Sequence, residues 1–209
     1  MKSQKIKLRI LTVASVILAV PFMNMGFALA DTPPATPPPG STAAQRLDQR
    51  KKERNIQLDA ATTKRLTSLC VSGQTTVRAM QQKLTPVFTD RAKTYKSIDA
   101  KLWVSIGELK LADKDTFELE KKRTALAEQM VLFQTTAANF QQTLDDMVVI
   151  NCEADVVGFK ALLDTARLYL AQLRDQSAAI NKNVVDVIKP ALNTFVTDLQ
   201  PKTNTEVTN

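Results

Sequence analysis

The 209-residue sequence contains no histidine, two cysteines, five glycines and only 5% aromatic residues. Without histidine, neither a Ser-His-Asp nor a Cys-His catalytic arrangement can form, and most types of zinc site are excluded. The scarcity of glycine and aromatic residues argues against a β-sheet protein, which carries β-branched and aromatic runs between frequent turns. Alanine, leucine, glutamine and lysine are abundant instead, and this composition predicts an all-α fold.

The sequence also lacks the common motifs that hold phosphate groups or metal ions. Neither GxGxxG nor GxxxxGK[ST] occurs. The closest carboxylate pairs are Asp145 with Asp146 and Asp113 with Asp115. Adjacent residues on a helix point about 100° apart and cannot share a proton, and the second pair is better explained by helix capping. We therefore expect a non-enzymatic protein without catalytic, cofactor-binding or metal-binding residues.

The formal net charge of +7 is concentrated near the N-terminus. Residues 1–30 contain four basic residues and no acidic one, and residues 43–65 contain seven basic against three acidic residues. Residues 66–209 are balanced, with 17 residues of each sign. The main body is therefore neutral, and its charge gives no reason to expect nucleic-acid binding.

The first 42 residues have the pattern of an export segment followed by a linker. Basic residues, then an apolar run and an Ala-Leu-Ala site predict a secretory signal peptide over residues 1–30, cleaved before Asp31. The alternative is an uncleaved membrane anchor, because residues 10–30 carry no charge and are long enough to span a bilayer. Five prolines in residues 31–42 predict a stiff linker, either a stalk or an ordinary disordered leader. We therefore expect an exported protein, whether secreted, periplasmic or at the cell surface.

Residues 43–65 form a basic segment with many helix formers and only three sizeable apolar residues. Ser41 or Thr42 can cap a helix that begins at Ala43. The segment predicts a helical extension, solvated or frayed, because it has too few apolar residues for a continuous buried stripe. Alternatively, its basic residues contact an anionic surface such as lipid headgroups or a wall polymer. The candidates for that contact are Arg46, Arg50, Lys51, Lys52 and Arg54.

Residues 66–200 contain apolar positions at the spacing of a coiled-coil seam and predict three long helices. Short connections require the helices to run up, down and up. The predicted fold is an elongated antiparallel three-helix coiled-coil bundle, preceded by the helical extension and followed by a disordered tail at residues 201–209. Pro86 and Pro190 are each expected to kink a helix, and at Pro86 the alternative is a new helix capped by Thr85. A seam left partly exposed would allow a homodimer.

Three seams define the predicted helices. The first is Leu66, Cys70, Gly73, Val77, Met80, Leu84 and Val87, followed by Tyr95, Ile98, Leu102, Ile106 and Leu109. The second is Leu119, Leu126, Met130, Phe133, Ala137, Phe140, Leu144 and Met147. The third starts at Phe159 and continues through Tyr169 and Leu173 to Phe195 and Leu199. The predicted N-caps of the second and third helices are Asp115, in a capping box with Glu118, and Asp155.

A turn at residues 111–115 separates the first two helices and relates the two cysteines. Cys70 lies 43 residues before Asp113, and Cys152 lies 39 residues after it. At about 1.5 Å per residue, both cysteines reach nearly the same height when the helices fold back on one another. Two cysteines in an exported chain are expected to pair. We therefore predict a Cys70–Cys152 disulfide that closes the open end of the hairpin.

The order of segments is similar to that of uncharacterised exported helical proteins of bacteria. The resemblance rests on a signal segment, a proline-rich leader and a two-cysteine helical body. Tyr95-Lys-Ser-Ile98 precedes the turn in this body, and Asp115-Thr-Phe follows it. The resemblance covers roughly residues 66–200, and no activity is attached to it.

These patterns predict a non-enzymatic, exported structural or interaction protein, a disulfide-clasped helical rod at or near the cell surface. The expected partner is an unidentified protein or an anionic polymer or membrane, rather than nucleic acid. The alternative is an extracytoplasmic carrier or chaperone that binds apolar ligands in a cleft between helices. A dye sensitive to exposed apolar surface separates the two, because it binds an open cleft and ignores a closed rod.

Overall fold

The computed structural model describes residues 34–199, which belong to one compact unit and contain no strand. The predicted signal segment (1–30) and tail (201–209) lie outside the described residues, as does the start of the linker. The helices are α1 (Ala43–Arg54), α2 (Ala60–Leu111), α3 (Phe117–Val149), α4 (Val156–Lys182), a π-helical turn (Asn183–Ile188) and α5 (Lys189–Leu199). The predicted all-α class is confirmed.

The N-terminal helices differ from the predicted continuous extension over residues 43–65. Helix α1 begins at Ala43 as expected, since Thr42 accepts a hydrogen bond from the backbone N–H of Gln45 and forms a reciprocal capping box. It ends where Asn55 adopts the left-handed conformation, with φ 42°. Asp59 then caps α2 by accepting from the N–H of Thr62. The extension therefore breaks at residues 55–59, and its last six residues belong to the first long helix.

Helix α2 has 52 residues, about 78 Å at 1.5 Å per residue, and runs through Pro86 without ending. The restart at Thr85 that the sequence left open does not occur. The turn after α2 places Asp113 in the left-handed region, with φ 53°. There the N–H of Lys114 reaches back to the Leu109 carbonyl at 3.1 Å. This bond satisfies a carbonyl that the helix end would otherwise leave unpaired.

The predicted capping box at the start of α3 is wrong by one residue. Thr116 is the N-cap, and it has no side-chain hydrogen bond to the helix backbone. Its hydroxyl donates to Glu120 at 2.6 Å, while Asp115 accepts from the N–H of Phe117. The second predicted cap is confirmed, because Asp155 precedes α4 and accepts from the N–H of Gly158 at 2.8 Å.

Helices α2 and α3 form an antiparallel hairpin. Polar pairs join them in opposite order along the two chains: Lys110 with Glu120, Asp99 with Arg123, Gln81 with Asp145, and Gln74 with Ile150. The interior between the helices is built largely from the predicted seams. The buried apolar side chains of α3 are Leu119, Leu126, Met130, Phe133, Phe140, Leu144 and Met147.

The first seam leaves its predicted register in the middle of α2. Phe88, not Val87, is buried there, with 5% of its surface exposed. Its ring packs edge-on against Phe133 and Phe140, at centroid distances of 6.2 and 5.7 Å. Tyr95 meets Phe133 at 5.3 Å and extends this aromatic cluster. Edge-to-face packing of large rings adds to burial and explains why Phe88 occupies the core position.

A π-helical turn stands where the sequence predicts a distortion before Pro190. Lys189 donates its backbone N–H to the Val184 carbonyl, five residues back. Proline has no N–H, and its ring would clash with the carbonyl four residues before it, that of Asp186. The wider turn accommodates this clash and lets the helix continue as α5.

Candidate functional site

The first ion pair that fastens α1 to the body joins Arg46 to Asp146 of α3. The Nε and Nη2 atoms of Arg46 donate to the two carboxylate oxygens of Asp146, at 2.8 and 2.5 Å. The side chains are only 12% and 6% exposed. The hydrogen bond to Asp146 raises the pKa of Arg46. This fork-to-fork geometry fixes the position of α1 as well as pairing the charges.

Arg50 is the most deeply buried charge of α1, with 2% of its surface exposed. It donates to the Tyr169 hydroxyl of α4 and to the Ala35 carbonyl of the linker, both at 2.8 Å, and it pairs with Glu53 at 2.9 Å. Its guanidinium also lies 5.6 Å from the centre of the Tyr169 ring. Burial raises the pKa of Tyr169, although the nearby cation opposes this shift. Arg50 therefore ties the linker and α4 to the same helix.

Lys51 completes the junction through Asp155, which it meets at 2.5 Å. The same carboxylate caps α4, so its negative charge stabilises the beginning of that helix while it also pairs with Lys51. We call Arg46, Arg50 and Lys51, with their partners Asp146, Tyr169 and Asp155, the α1 junction.

The structure therefore separates the five basic residues predicted to contact an anionic surface. Arg46, Arg50 and Lys51 have partners within the chain, and Arg54 is partly buried. Lys52 is exposed. An anionic surface can meet Lys52 without breaking a contact, whereas the three junction residues would first have to leave their partners. Contact with such a surface stays a prediction.

The predicted disulfide is confirmed. Cys70 of α2 and Cys152, in the connection between α3 and α4, are joined by an S–S bond of 2.03 Å with their Cα atoms 5.6 Å apart. Both are buried, at 0% and 6% exposure. Nearby, Gln74 donates to the Ile150 carbonyl at 2.9 Å. The disulfide and the α1 junction therefore hold the same end of the hairpin.

A shallow groove of about 280 Å³ lies beside this junction. Its walls come from α1, the end of α3 and the start of α4, and its apolar lining includes Ala43, Ala44, Leu47, Val149, Ile150 and Leu162. Asp146 and Asp155 border it, but both carboxylates already pair with α1. The groove therefore offers an apolar surface rather than a reactive group.

The other end of α2 carries an exposed apolar surface on the side opposite the core. Residues at helical spacing there form what we call the outer stripe: Ser97, Ala100, Val104, Gly107 and Leu111. All five are exposed, Val104 at 55% and Leu111 at 87%, and a Cβ added at Gly107 would meet no atom within 4 Å. None of the five carries a charge. The same helix face nearer the disulfide is mainly polar and includes Lys64, Ser68, Thr75, Gln82 and Lys93, although Val71 on this face is also 60% exposed.

Two exposed aromatic residues lie at the same end of the hairpin as the outer stripe. Trp103 is 57% exposed, and Arg123 covers one face of its ring at 4.7 Å. Arg123 in turn donates to Asp99 at 2.9 Å, so the tryptophan is held in place while its other side faces solvent. Phe117, at the start of α3, is 69% exposed. The hairpin end thus presents four large apolar side chains to solvent, Trp103, Val104, Leu111 and Phe117.

Neither a metal-binding cluster nor a membrane-spanning helix occurs in the part of the chain that the structure describes. Residues 34–199 contain no cluster of three or more histidine, cysteine, aspartate or glutamate side chains arranged to hold a metal ion. Within the same range, no helix combines the length and apolar character that crossing a membrane requires. Comparison with known protein families, with curated proteins and with solved structures found no match for this chain.

Sequence reasoning missed the α1 junction and the outer stripe. A signal for the junction was present, since Leu47 and Arg50 lie on one helix face and Asp146 lies beside the seam residue Met147. The outer stripe gives a weaker signal than the core seam, because it contains only two large apolar residues, Val104 and Leu111, on the face of α2 opposite the core.

Proposed function

We propose that this chain is an exported, non-enzymatic interaction protein that binds a protein partner through the hairpin end of α2. The disulfide supports the compartment, because such bonds persist in oxidising environments and are rare in the cytosol. The observation that carries the binding role is the outer stripe, an apolar surface on the helix face turned away from the core. Exposed apolar patches on stable folds usually mark interaction sites.

In this proposal the two ends of the hairpin have different roles. The end with the disulfide and the α1 junction is structural, since Arg46, Arg50 and both cysteines form contacts within the chain. The end with Val104, Leu111 and Phe117 is the contact end, where apolar side chains are solvent-exposed. Securing one end keeps the long helices in register and presents the other end as a defined surface.

We also propose that α2, α3 and the α4–α5 segment act together as an antiparallel three-helix coiled-coil bundle. Contacts of α4 with both partners support this arrangement: Arg91 of α2 donates to Ser177 at 2.8 Å, and Gln176 donates to Thr136 of α3 at 3.0 Å. The π-helical turn interrupts the regular seam without ending the third helix.

Site-specific photo-crosslinking in the native cells tests the proposed surface. A photoreactive amino acid at Val104 should give covalent adducts with protein, whereas the same group at Thr75, on the polar part of the same helix face, should give few. Both positions are exposed, so folding should be retained in each case. Equal background labelling at both positions would contradict the proposal.

The groove beside the α1 junction favours a second candidate function, that of a carrier for small apolar ligands. Ala44→Phe would fill the groove without touching the outer stripe. A carrier would lose binding of an apolar-surface dye in this variant and keep it when Val104 and Leu111 are replaced by serine. The interaction proposal expects the opposite response.

A further inference from the structure

We infer that the partner of the outer stripe is a second copy of this chain, with the two α2 helices packed antiparallel. This inference rests on the proposed function, because it uses the same surface. It is carried by two independent features of α2, namely the sizes of the residues along the stripe and the charges beside it.

The sizes of the stripe residues are self-complementary in the antiparallel direction. In an antiparallel helix pair, each layer of the interface contains one stripe residue from each chain. The stripe residues are spaced alternately four and three apart, and the two residues of a layer come from the two alternate positions of this spacing. Leu111 then faces the partner's Ala100, and Val104 faces the partner's Gly107. The twofold axis repeats both contacts, so every layer combines a large side chain with a small one. The open space at Gly107 is the space that the partner's Val104 would fill.

The flanking charges select the same direction. Lys101 and Glu108 lie on one flank of the stripe, seven residues apart, and neither forms an ion pair within residues 34–199. In the antiparallel register Lys101 faces the partner's Glu108, and the axis creates this pair twice. A parallel pair would instead bring Lys96 close to the partner's Lys101, also twice. Opposite charges therefore meet only when the two helices are antiparallel.

The contact between the two outer stripes is short, and its length sets the expected strength of the dimer. Its four layers span residues 100–111, about 16 Å of helix. A contact of this size lies below the usual area of a stable interface. We therefore expect a reversible dimer with a dissociation constant on the order of micromolar. Trp103 beside the seam adds a contact toward the partner's Lys110.

Paired cysteines test the geometry directly. In Ala100→Cys with Leu111→Cys, the two thiols of one chain lie about 16 Å apart and cannot join each other. In the antiparallel dimer each meets the other thiol across the interface, so mild oxidation should give a covalent dimer. Ala100→Cys alone should stay monomeric, because two copies of this position are equally far apart. Covalent dimers from the single variant would indicate a parallel pair and overturn the inference.

A matched control uses the polar part of the same helix face. Gln82 and Lys93 have the same spacing and orientation as Ala100 and Leu111, five turns earlier. The double variant Gln82→Cys with Lys93→Cys should remain monomeric under the same oxidation. Equal cross-linking of both double variants would show random collision and would also overturn the inference.

Charge reversal followed by sedimentation velocity supplies a second test. Lys101→Glu or Glu108→Lys alone sets like charges against each other twice and should raise the dissociation constant about tenfold. The combined reversal restores opposite charges and should return the wild-type value. Both positions are exposed, and a thermal melt checks the folding of all three variants. A combined variant as weak as the single ones would refute the antiparallel pair.

The two proposals fail in distinguishable ways. A wild-type chain that stays monomeric at 100 micromolar, yet cross-links through Val104 to a different protein, would overturn the self-pairing and leave the interaction function standing. A chain that neither dimerises nor cross-links at this position would remove both.

Discussion

Replacing Asp146 with asparagine tests the ion pair that holds α1 on the helical body. Asparagine keeps the shape of the side chain but leaves the guanidinium of Arg46 without its counter-charge at a site where the two side chains are 12% and 6% exposed. Breaking a buried pair by removing one partner typically costs about 3–5 kcal/mol. Because asparagine retains one oxygen acceptor, we expect about 2–4 kcal/mol here.

The loss should appear first as undocking of α1 rather than as global unfolding. Hydrogen exchange followed by mass spectrometry should show the backbone amides of residues 46–54 exchanging about thirtyfold faster or more, while the amides of α3 stay protected. Arg46→Met combined with Asp146→Asn should recover part of the loss, because no unpaired charge is then buried.

The neighbouring residue provides the control. Asp145 is exposed and accepts a hydrogen bond from Gln81 at 2.6 Å. Asp145→Asn therefore removes a negative charge one residue away, and we expect a cost under about 0.5 kcal/mol. Unchanged protection of α1 in the Asp146 variant would show that the pair does not hold the helix and would refute the reasoning.

Three further predictions address the core, a buried tyrosine and the disulfide. Phe88→Ala should lower the free energy of unfolding, measured in urea, by about 3–5 kcal/mol, and Val87→Ala by under about 1 kcal/mol. Equal losses would contradict the burial of Phe88 in preference to Val87. Tyr169→Phe should cost about 1–2 kcal/mol by removing the acceptor of a buried guanidinium. Since burial raises the pKa of Tyr169, the unfolded chain loses this proton first on raising the pH. The wild-type advantage is complete below about pH 10 and declines above it, whereas a slope that persists in the phenylalanine variant would point to other groups. Cys70→Ser with Cys152→Ser should cost about 4 kcal/mol for a loop of this length, and a melt unchanged by reduction would contradict that value.

The hairpin was predictable because its signals are local and repeated. The apolar residues at seven-residue spacing, the turn at residues 111–115 and the two cysteines at nearly equal distances from it all indicate the same register. The structure joins Cys70 to Cys152 and buries Leu102, Ile106 and Leu109 as this pattern requires.

The departures come from contacts between residues far apart in sequence. Phe88 displaces Val87 because two rings on α3 can pack against it, and spacing alone does not reveal those rings. Arg46 and Arg50 read as solvated charges because Asp146 and Tyr169 lie about a hundred residues or more away. A run of basic residues indicates a solvated helix only when no distant part of the chain supplies a buried acceptor for their side chains.

The intact mass of the protein from its native cells tests most directly the proposal that this chain is exported and closed by a disulfide. The protein should be measured without reduction and again after reduction and alkylation. We predict a chain that begins at Asp31 and gains two alkyl groups only after reduction, as expected for a Cys70–Cys152 bond. A chain that retains residues 1–30 and carries two thiols before reduction would contradict the claim.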